Sequence, residues 1–286
     1  MKIVENLDLT NYNSYRTKSI CSVGYFPENE NDLLTFFQSK EHQSYIVLGN
    51  GNNTILSRAY YQELFIILNG YFDSIKVSGN VIEAEAGATI LEVSKMALKH
   101  GLTGAEFLYD IPSSVGGAIV MNAGTKEGET KNILLKVRYL DLEDMLIKEK
   151  SNSEIGFDYR NSFFQKNKDK IVLKSWFQLE KGDPLKIEKI MKDSKERRWD
   201  KQPREFPNCG SVFKRPPGKF VGPMIDELGL KGFQIGGAQV SEKHSGFIVN
   251  KSNATGQDIL DLIENIKTKV FDHYSINLEV EQRIIY

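Results

Sequence analysis

Gly49-Asn50-Gly51-Asn52-Asn53, entered from the apolar run Tyr45-Ile46-Val47-Leu48, is the stretch on which the reading of this chain turns. Four apolar residues breaking into glycine and asparagine predict a short strand followed by a loop. Glycines let main-chain N–H groups approach an anion without side-chain obstruction, and asparagine tolerates positive φ. The loop therefore reads as a cradle for a pyrophosphate or, on this fragment alone, as a tight turn. It is neither GxxxxGK[ST] nor GxGxxG, so it supports neither a Walker-type ATPase nor a Rossmann dehydrogenase.

A second glycine-rich patch is Ile111-Pro112-Ser113-Ser114-Val115-Gly116-Gly117-Ala118, continued by Met121-Asn122-Ala123-Gly124. Pro112 sets the entry to a predicted turn, and Gly116-Gly117 permit close backbone approach. Ser113 and Ser114 carry hydroxyls able to bond a phosphate or a ring carbonyl. A buried turn of small residues is the alternative. Two such patches in one chain suit a large dinucleotide.

The remaining organisation is mixed. A helix is expected over Asn31–Lys40, and a strand over Asn80–Ala86, with Ile82, Ala84 and Ala86 on one face and Val81, Glu83 and Glu85 on the other. From Ala88 the pattern turns helical, with Thr89 and Glu92 as a capping box and an end at Gly101. Strands are expected at Leu134–Leu140 and Ile171–Leu179. A helix follows from Pro184 to Trp199, with Ile187, Ile190 and Met191 as its apolar stripe. A last helix runs from Gly256 to Phe271, and a terminal strand covers Ile276–Ile285. Helices and strands in separate blocks make the class α+β. Changes of texture divide the chain into residues 1–69, 70–199 and 200–286.

With 286 residues, the chain is long enough to bury a sizeable core. Its 37 basic and 38 acidic side chains leave a net charge of -1. That balance argues against a broad grip on nucleic acid or on an anionic membrane, but leaves room for a local basic pocket. No apolar stretch is long enough to span a bilayer, and the first residues lack the pattern of a signal peptide. The two cysteines, Cys21 and Cys209, are far apart, and His42, His100, His244 and His273 are scattered. No metal site is expected, and the cysteine usage fits the cytoplasm.

Three fragments carry candidate chemistry. Phe157-Asp158-Tyr159-Arg160-Asn161-Ser162 sets an arginine beside an aromatic ring, and Arg160 can hold a carboxylate with two parallel bonds or simply lie at the surface. Ser211 follows Gly210 in GSVFKRPPG, without the GxSxG context of a hydrolase nucleophile, and reads as a hydrogen-bonding ligand, a proton donor or a turn residue. In the terminal strand, Asn277, Glu279, Glu281 and Arg283 share one face, which composition alone reads as solvated.

Taken in order, LGNGNN, IPSSVGGAIVMNAG, DYRNS, KQP with PNCGSVFKRPPG, LKGFQIGGAQVSEKHSGFIVN and LEVEQRII resemble the UDP-N-acetylenolpyruvoylglucosamine reductase (MurB) family, from about Tyr45 to Ile285. The likeness is to its shorter type, which lacks an inserted substrate-covering loop. It implies an FAD-binding fold of the vanillyl-alcohol-oxidase/PCMH type in two subdomains, residues 1–69 and 70–199. A C-terminal α+β substrate domain, residues 200–286, follows. It also implies FAD as cofactor, NADPH as reductant and a UDP-sugar as substrate; the balanced charge and modest size of the chain, apart from the resemblance, suit a monomer. Gly49, Asn50, Gly51, Asn52, Asn53, Ile111, Pro112, Ser113, Ser114, Gly116, Gly117, Asn122 and Gly124 fall on the flavin-holding segments. Arg160, Ser211 and Glu281 match the catalytic residues, and Tyr159, Lys201 and His244 match substrate contacts.

By the same resemblance Ser211 supplies a proton, Arg160 steadies carboxylate charge, and Glu281 assists only when protonated. Lys201 with Arg197, Arg198 and Arg204 is expected to meet the UDP diphosphate. Four flavin-side segments depart from the usual pattern: GNGNN for GNGSN, IPSSVGG for IPGSVGG, NAGTKEGE for NAGAYGGE, and RTKS without a glycine pair. They motivate two alternatives: an FAD-dependent oxidoreductase of the same fold acting on another sugar nucleotide, and a flavin-free binder.

Overall fold

The computed structural model describes residues 1–39 and 44–286, so Lys40, the expected end of the first helix, and His42 lie outside the described residues. The chain divides into two compact units. The first comprises residues 1–4, 24–50 and 64–197, and the second residues 5–23, 51–63 and 198–286.

The first unit is built on a five-stranded antiparallel sheet. Its strand order is Leu146–Ser151, Leu134–Asp141, Lys170–Gln178, Val81–Glu85 and Ile75–Ser78. Alternation decides which face is buried: Ile82, Ala84 and Ala86 are fully buried, as expected, and join Val137, Leu173 and Phe177 in one apolar core. Two helices cover that core. Ile90–Lys99 begins where the Thr89 hydroxyl accepts the Glu92 N–H at 3.1 Å, and its chain leaves at Gly101 with φ +63°. Val115–Met121 occupies the patch expected to be a turn. Helix wins there because Ser114 caps it, accepting from the Gly117 N–H at 3.2 Å, and because Gly116 donates to the Ala86 carbonyl at 2.9 Å. A Cβ on Gly116 would stand 3.2 Å from the Ala86 Cβ, so glycine lets this helix lie against the sheet.

The helix over Pro184–Lys201 forms as expected, but its stripe is Ile187, Met191 and Ser194. Ile190 is 49% exposed, because at 100° per residue it falls to one side of the arc that Ile187, Met191 and Ser194 share. The helix over Glu30–Gln38 is capped by Asn29, whose side chain accepts from the Asp32 N–H. Tyr45–Leu48 pairs in parallel with Leu64–Ile67, which delivers the chain to the glycine loop. The carboxylates of Asp141, Glu143 and Asp169 cluster, and the Lys170 ammonium bonds all three at 2.6 to 3.0 Å.

The second unit packs a 19-residue helix, Gly256–Tyr274, against a small antiparallel sheet of Gln234–Ile235, Ala238–Val240 and Ile248–Asn250. Thr255 and Asp258 form a reciprocal capping box. Ile259, Leu262, Ile263, Ile266 and Val270 supply the buried face. This helix runs three residues beyond the expected Phe271, ending at Ser275 in the left-handed region.

The terminal strand is shorter than expected: only Arg283–Ile285 forms a regular ladder, parallel to Thr54–Leu56. Residues 279–281 instead meet residues 212–214 through Lys214 N–H to Glu279 O at 2.9 Å and Glu281 N–H to Val212 O at 2.8 Å. Among the described residues no helix is long and apolar enough to cross a membrane.

Candidate active site

In the first unit the glycine loop meets the capped helix. A Cβ on Gly49 would fall 2.3 Å from the Ser114 Oγ, so glycine is needed there to admit the serine cap. Ser113, the departure from the glycine of the family pattern, keeps a negative φ, and its hydroxyl donates to the Ser114 carbonyl at 3.0 Å. The backbone thus bears a side chain at that position without strain. Ile111 packs against the core while Pro112 is exposed.

Asn122 ends the helix in the left-handed region, φ 45°, and is fully buried. Its amide donates to Glu129 at 3.0 Å and to the Asp158 carbonyl at 3.2 Å, while its Oδ1 accepts the Lys131 N–H at 3.1 Å. These bonds tie the helix end to the loop bearing Tyr159 and Arg160. The Arg160 guanidinium donates to the carbonyls of Asn122 at 3.5 Å and Gly124 at 3.2 Å, and lies 5.2 Å from the Tyr159 ring centroid. Gly124 itself opens a tight hairpin, where a Cβ would strike the Gly128 carbonyl at 2.4 Å. Arg197, expected to face a diphosphate, pairs with Glu127 at 3.2 Å.

The second unit holds the other half of the loop. Gly51 has φ +64°, and a Cβ there would stand 2.0 Å from the Tyr12 carbonyl. Asn52 donates to Ser14 Oγ at 2.6 Å, and Asn53 donates to the Glu281 carbonyl at 3.1 Å. Arg283 N–H returns to the Asn53 carbonyl at 2.9 Å. The loop therefore rests directly on the segment that carries Glu281. That segment is bonded in turn to residues 211–214, so Ser211 and Glu281 sit on adjoining chains. Arg160 belongs to the first unit.

His244 is half-buried. Burial pushes its ring below the ordinary histidine range, and Nδ1 accepts the Gly246 N–H at 3.1 Å. A ring so held is neutral and carries its proton on Nε2, leaving a donor for a ligand. Lys201 is exposed at the end of its helix, and Lys243 donates to the neighbouring Trp199 carbonyl at 2.7 Å.

The residues present fit a flavin dinucleotide. The buried Oδ1 atoms of Asn50 and Asn52 have no partner among the described residues, although buried amide oxygens are nearly always bonded. They are acceptors awaiting donors that the chain does not supply, such as the ring N–H or the hydroxyls of a flavin nucleotide. Beside them stand the glycines that keep the loop free of side chains. One residue escapes a reading by motif: Gln282, 4% exposed, on the buried side of the terminal segment beside Leu278. Its signal in the sequence is a polar side chain on an otherwise apolar alternation.

Comparison with known proteins agrees. Residues 202–285 match the UDP-N-acetylenolpyruvoylglucosamine reductase C-terminal domain, and residues 23–148 match an FAD binding domain. The reductase of Francisella tularensis subsp. tularensis is 41% identical over 283 residues, spanning 98% of this chain and 99% of that protein. The chain belongs to the UDP-N-acetylenolpyruvoylglucosamine reductase family. The reductase of Caldanaerobacter subterraneus subsp. tengcongensis is 41% identical over 286 residues, covering 99% of this chain and 94% of its own length. The crystal structure of the Thermus caldophilus reductase (MurB) superposes with a TM-score of 0.84 at 30% identity, over 100% of this chain and 98% of that one. MurB membership supplies both the flavin-binding fold and the substrate-side α+β domain expected from the motifs.

Proposed function

We infer that this chain is an FAD-dependent oxidoreductase that uses NADPH to reduce the enolpyruvyl ether of UDP-N-acetylglucosamine, giving UDP-N-acetylmuramate for peptidoglycan precursor synthesis. The observation that carries this is the end-to-end likeness to reductases of that name at 41% identity. When bound, FAD supplies the hydride. The chain's own residues handle charge and the proton. Arg160, a permanent cation, takes the substrate carboxylate, whose charge grows as the neighbouring double bond is reduced. Ser211 delivers a proton to the carbon beside that carboxylate. A hydroxyl is a weak acid, so placement within hydrogen-bond reach of a strongly basic carbon matters most. Glu281 helps in its protonated form, since a bare carboxylate would repel the developing charge.

Gly49–Asn53, Ile111–Gly117, Asn122 and Gly124 hold the flavin in this reading. Tyr159, Lys201 and the neutral His244 contact the UDP-sugar. The adjoining segments of Ser211 and Glu281 and the unpartnered amide oxygens of Asn50 and Asn52 support these roles. Residues 1–69 and 70–199 act as the two flavin-side parts and 200–286 as the substrate part, in a monomer working in the cytoplasm and serving cell-wall growth, cell shape and division.

Purified protein is expected to be yellow and to bleach with NADPH. Ser211→Ala is expected to leave bleaching by NADPH intact and to slow recolouring by the enolpyruvyl substrate by orders of magnitude, each tenfold being about 1.4 kcal/mol of barrier. Equal loss in both half-reactions removes Ser211 from the proton-donor role.

A further inference from the structure

Beneath residues 209–211 lies a polar pair that packing alone does not require. Tyr15 is 0% exposed and Gln282 is 4% exposed. The Tyr15 hydroxyl donates to Gln282 Oε1 at 2.9 Å. Gln282 Nε2 then faces three successive main-chain carbonyls, those of Cys209 at 3.2 Å, Gly210 at 3.4 Å and Ser211 at 3.4 Å. An amide has two hydrogens, so it shares them over the three acceptors. Tyr15 is anchored in its turn, its carbonyl accepting from Asn250 Nδ2 at 2.8 Å.

Burying a phenol hydroxyl and a primary amide is unfavourable unless both are bonded, and a leucine would fill the same space without that demand. What the pair adds is direction. Gly210 has φ +77°, a freely turning residue just before Ser211, and the amide holds the carbonyls on both sides of that turn. Side chains alternate along an extended segment, so Gln282 points inward while Glu281 faces the other way. The same short stretch thus carries one candidate reacting group and the clamp for another.

We infer that Tyr15 and Gln282 are positioning residues for Ser211. Their hydrogen-bond chain fixes the main chain of residues 209–211 and hence the point from which the Ser211 hydroxyl delivers its proton. This rests on the reading of Ser211 as proton donor.

The test uses the full-length, flavin-loaded protein and follows the two half-reactions separately by flavin absorbance. Gln282→Met keeps the volume and removes the donors. It is expected to leave reduction by NADPH within about twofold and to slow reoxidation by the enolpyruvyl substrate roughly tenfold to a hundredfold, the scale of a small misplacement. Tyr15→Phe, which deletes one oxygen, is expected to slow the same step by about threefold to tenfold. Neither change is expected to slow a Ser211→Ala protein further. Independently of turnover, main-chain hydrogen exchange across 209–212 is expected to speed up in both variants. Full additivity with Ser211→Ala, or unchanged reoxidation and exchange in the two variants, overturns the inference. Should Gln282→Met fail to fold, Tyr15→Phe decides alone. If Ser211→Ala itself leaves reoxidation unchanged, it is the reading of Ser211 that falls.

Discussion

Asn122 concentrates several demands in one buried side chain, and replacing it tests how the Arg160 loop is held. Asn122→Ala deletes the bonds to Glu129, the Asp158 carbonyl and the Lys131 N–H. An ordinary hydrogen bond contributes about 1 kcal/mol net, and one to a carboxylate about 1.5 to 3 kcal/mol. Alanine must also adopt the left-handed conformation at φ 45°, which costs roughly 1 kcal/mol more than asparagine or glycine does there. The expected loss is therefore about 4.5 to 6 kcal/mol, a large part of the stability of an ordinary domain. Asn122→Gly relieves the backbone but not the missing bonds, so it is expected to be about 1 kcal/mol milder than alanine. Asn122→Asp keeps the shape and sets a carboxylate against Glu129, so it destabilises at neutral pH and less so in acid. Urea unfolding of the flavin-free protein, followed by circular dichroism, measures all three. A loss under about 1 kcal/mol for alanine, or glycine costing more than alanine, would refute the account, since either removes the hydrogen bonds or the backbone from the balance. Arg160 donates to the carbonyls of Asn122 and Gly124, so if it holds the substrate carboxylate as proposed, the variants that fold should also bind that carboxylate less well.

The remaining expectations concern space and charge. Gly49→Ala should lower the flavin content of purified protein sharply, because its Cβ meets the Ser114 Oγ at 2.3 Å, and Ser114→Ala in the same chain should restore part of it; a flavin-to-protein absorbance ratio unchanged in Gly49→Ala would contradict this. Burial alone would raise the Asp141 carboxyl, but bonds from Lys148 and Lys170 outweigh it and bring it down to about 2. The unfolded chain then takes up the proton first as pH falls, so this stabilisation is whole above pH 3.8 and is lost between 3.8 and about 2. Asp141→Asn should flatten that acid limb of the urea midpoint, and an unchanged limb would show that the pairing contributes nothing.

The glycine loop is legible as a strand end because an apolar run breaks abruptly into glycine and asparagine, while its role comes only from the order of the motifs around it; the sheet strand at Val81–Glu85 is legible because Ile82, Ala84 and Ala86 alternate cleanly. The patch after Pro112 reads as a turn in the sequence but is helical from Val115 to Met121. Glycines oppose helix on their own, and only the Ser114 cap and the contact with Ala86 reverse that preference. Ile190 looked like core because apolar spacing marks a stripe without fixing its edges. Motif order singles out Ser211 and Glu281 as candidates and places them on segments that the fold brings side by side, whereas it does not point to the pairing of Tyr15 with Gln282. Their bond joins positions 267 residues apart, and although Gln282 interrupts an apolar alternation, nothing local names Tyr15 as its partner.

The parallel pairing of Arg283–Ile285 with Thr54–Leu56 has a temporal consequence. During synthesis Thr54–Leu56 emerges long before its partner, and must wait through more than two hundred further residues for strand completion. Such distant pairings close late and slowly, leaving an open edge meanwhile. Since Asn53 donates to the Glu281 carbonyl beside that ladder, the glycine loop and the segment bearing Glu281 settle together, in one closing event that follows the pairing of the two strands.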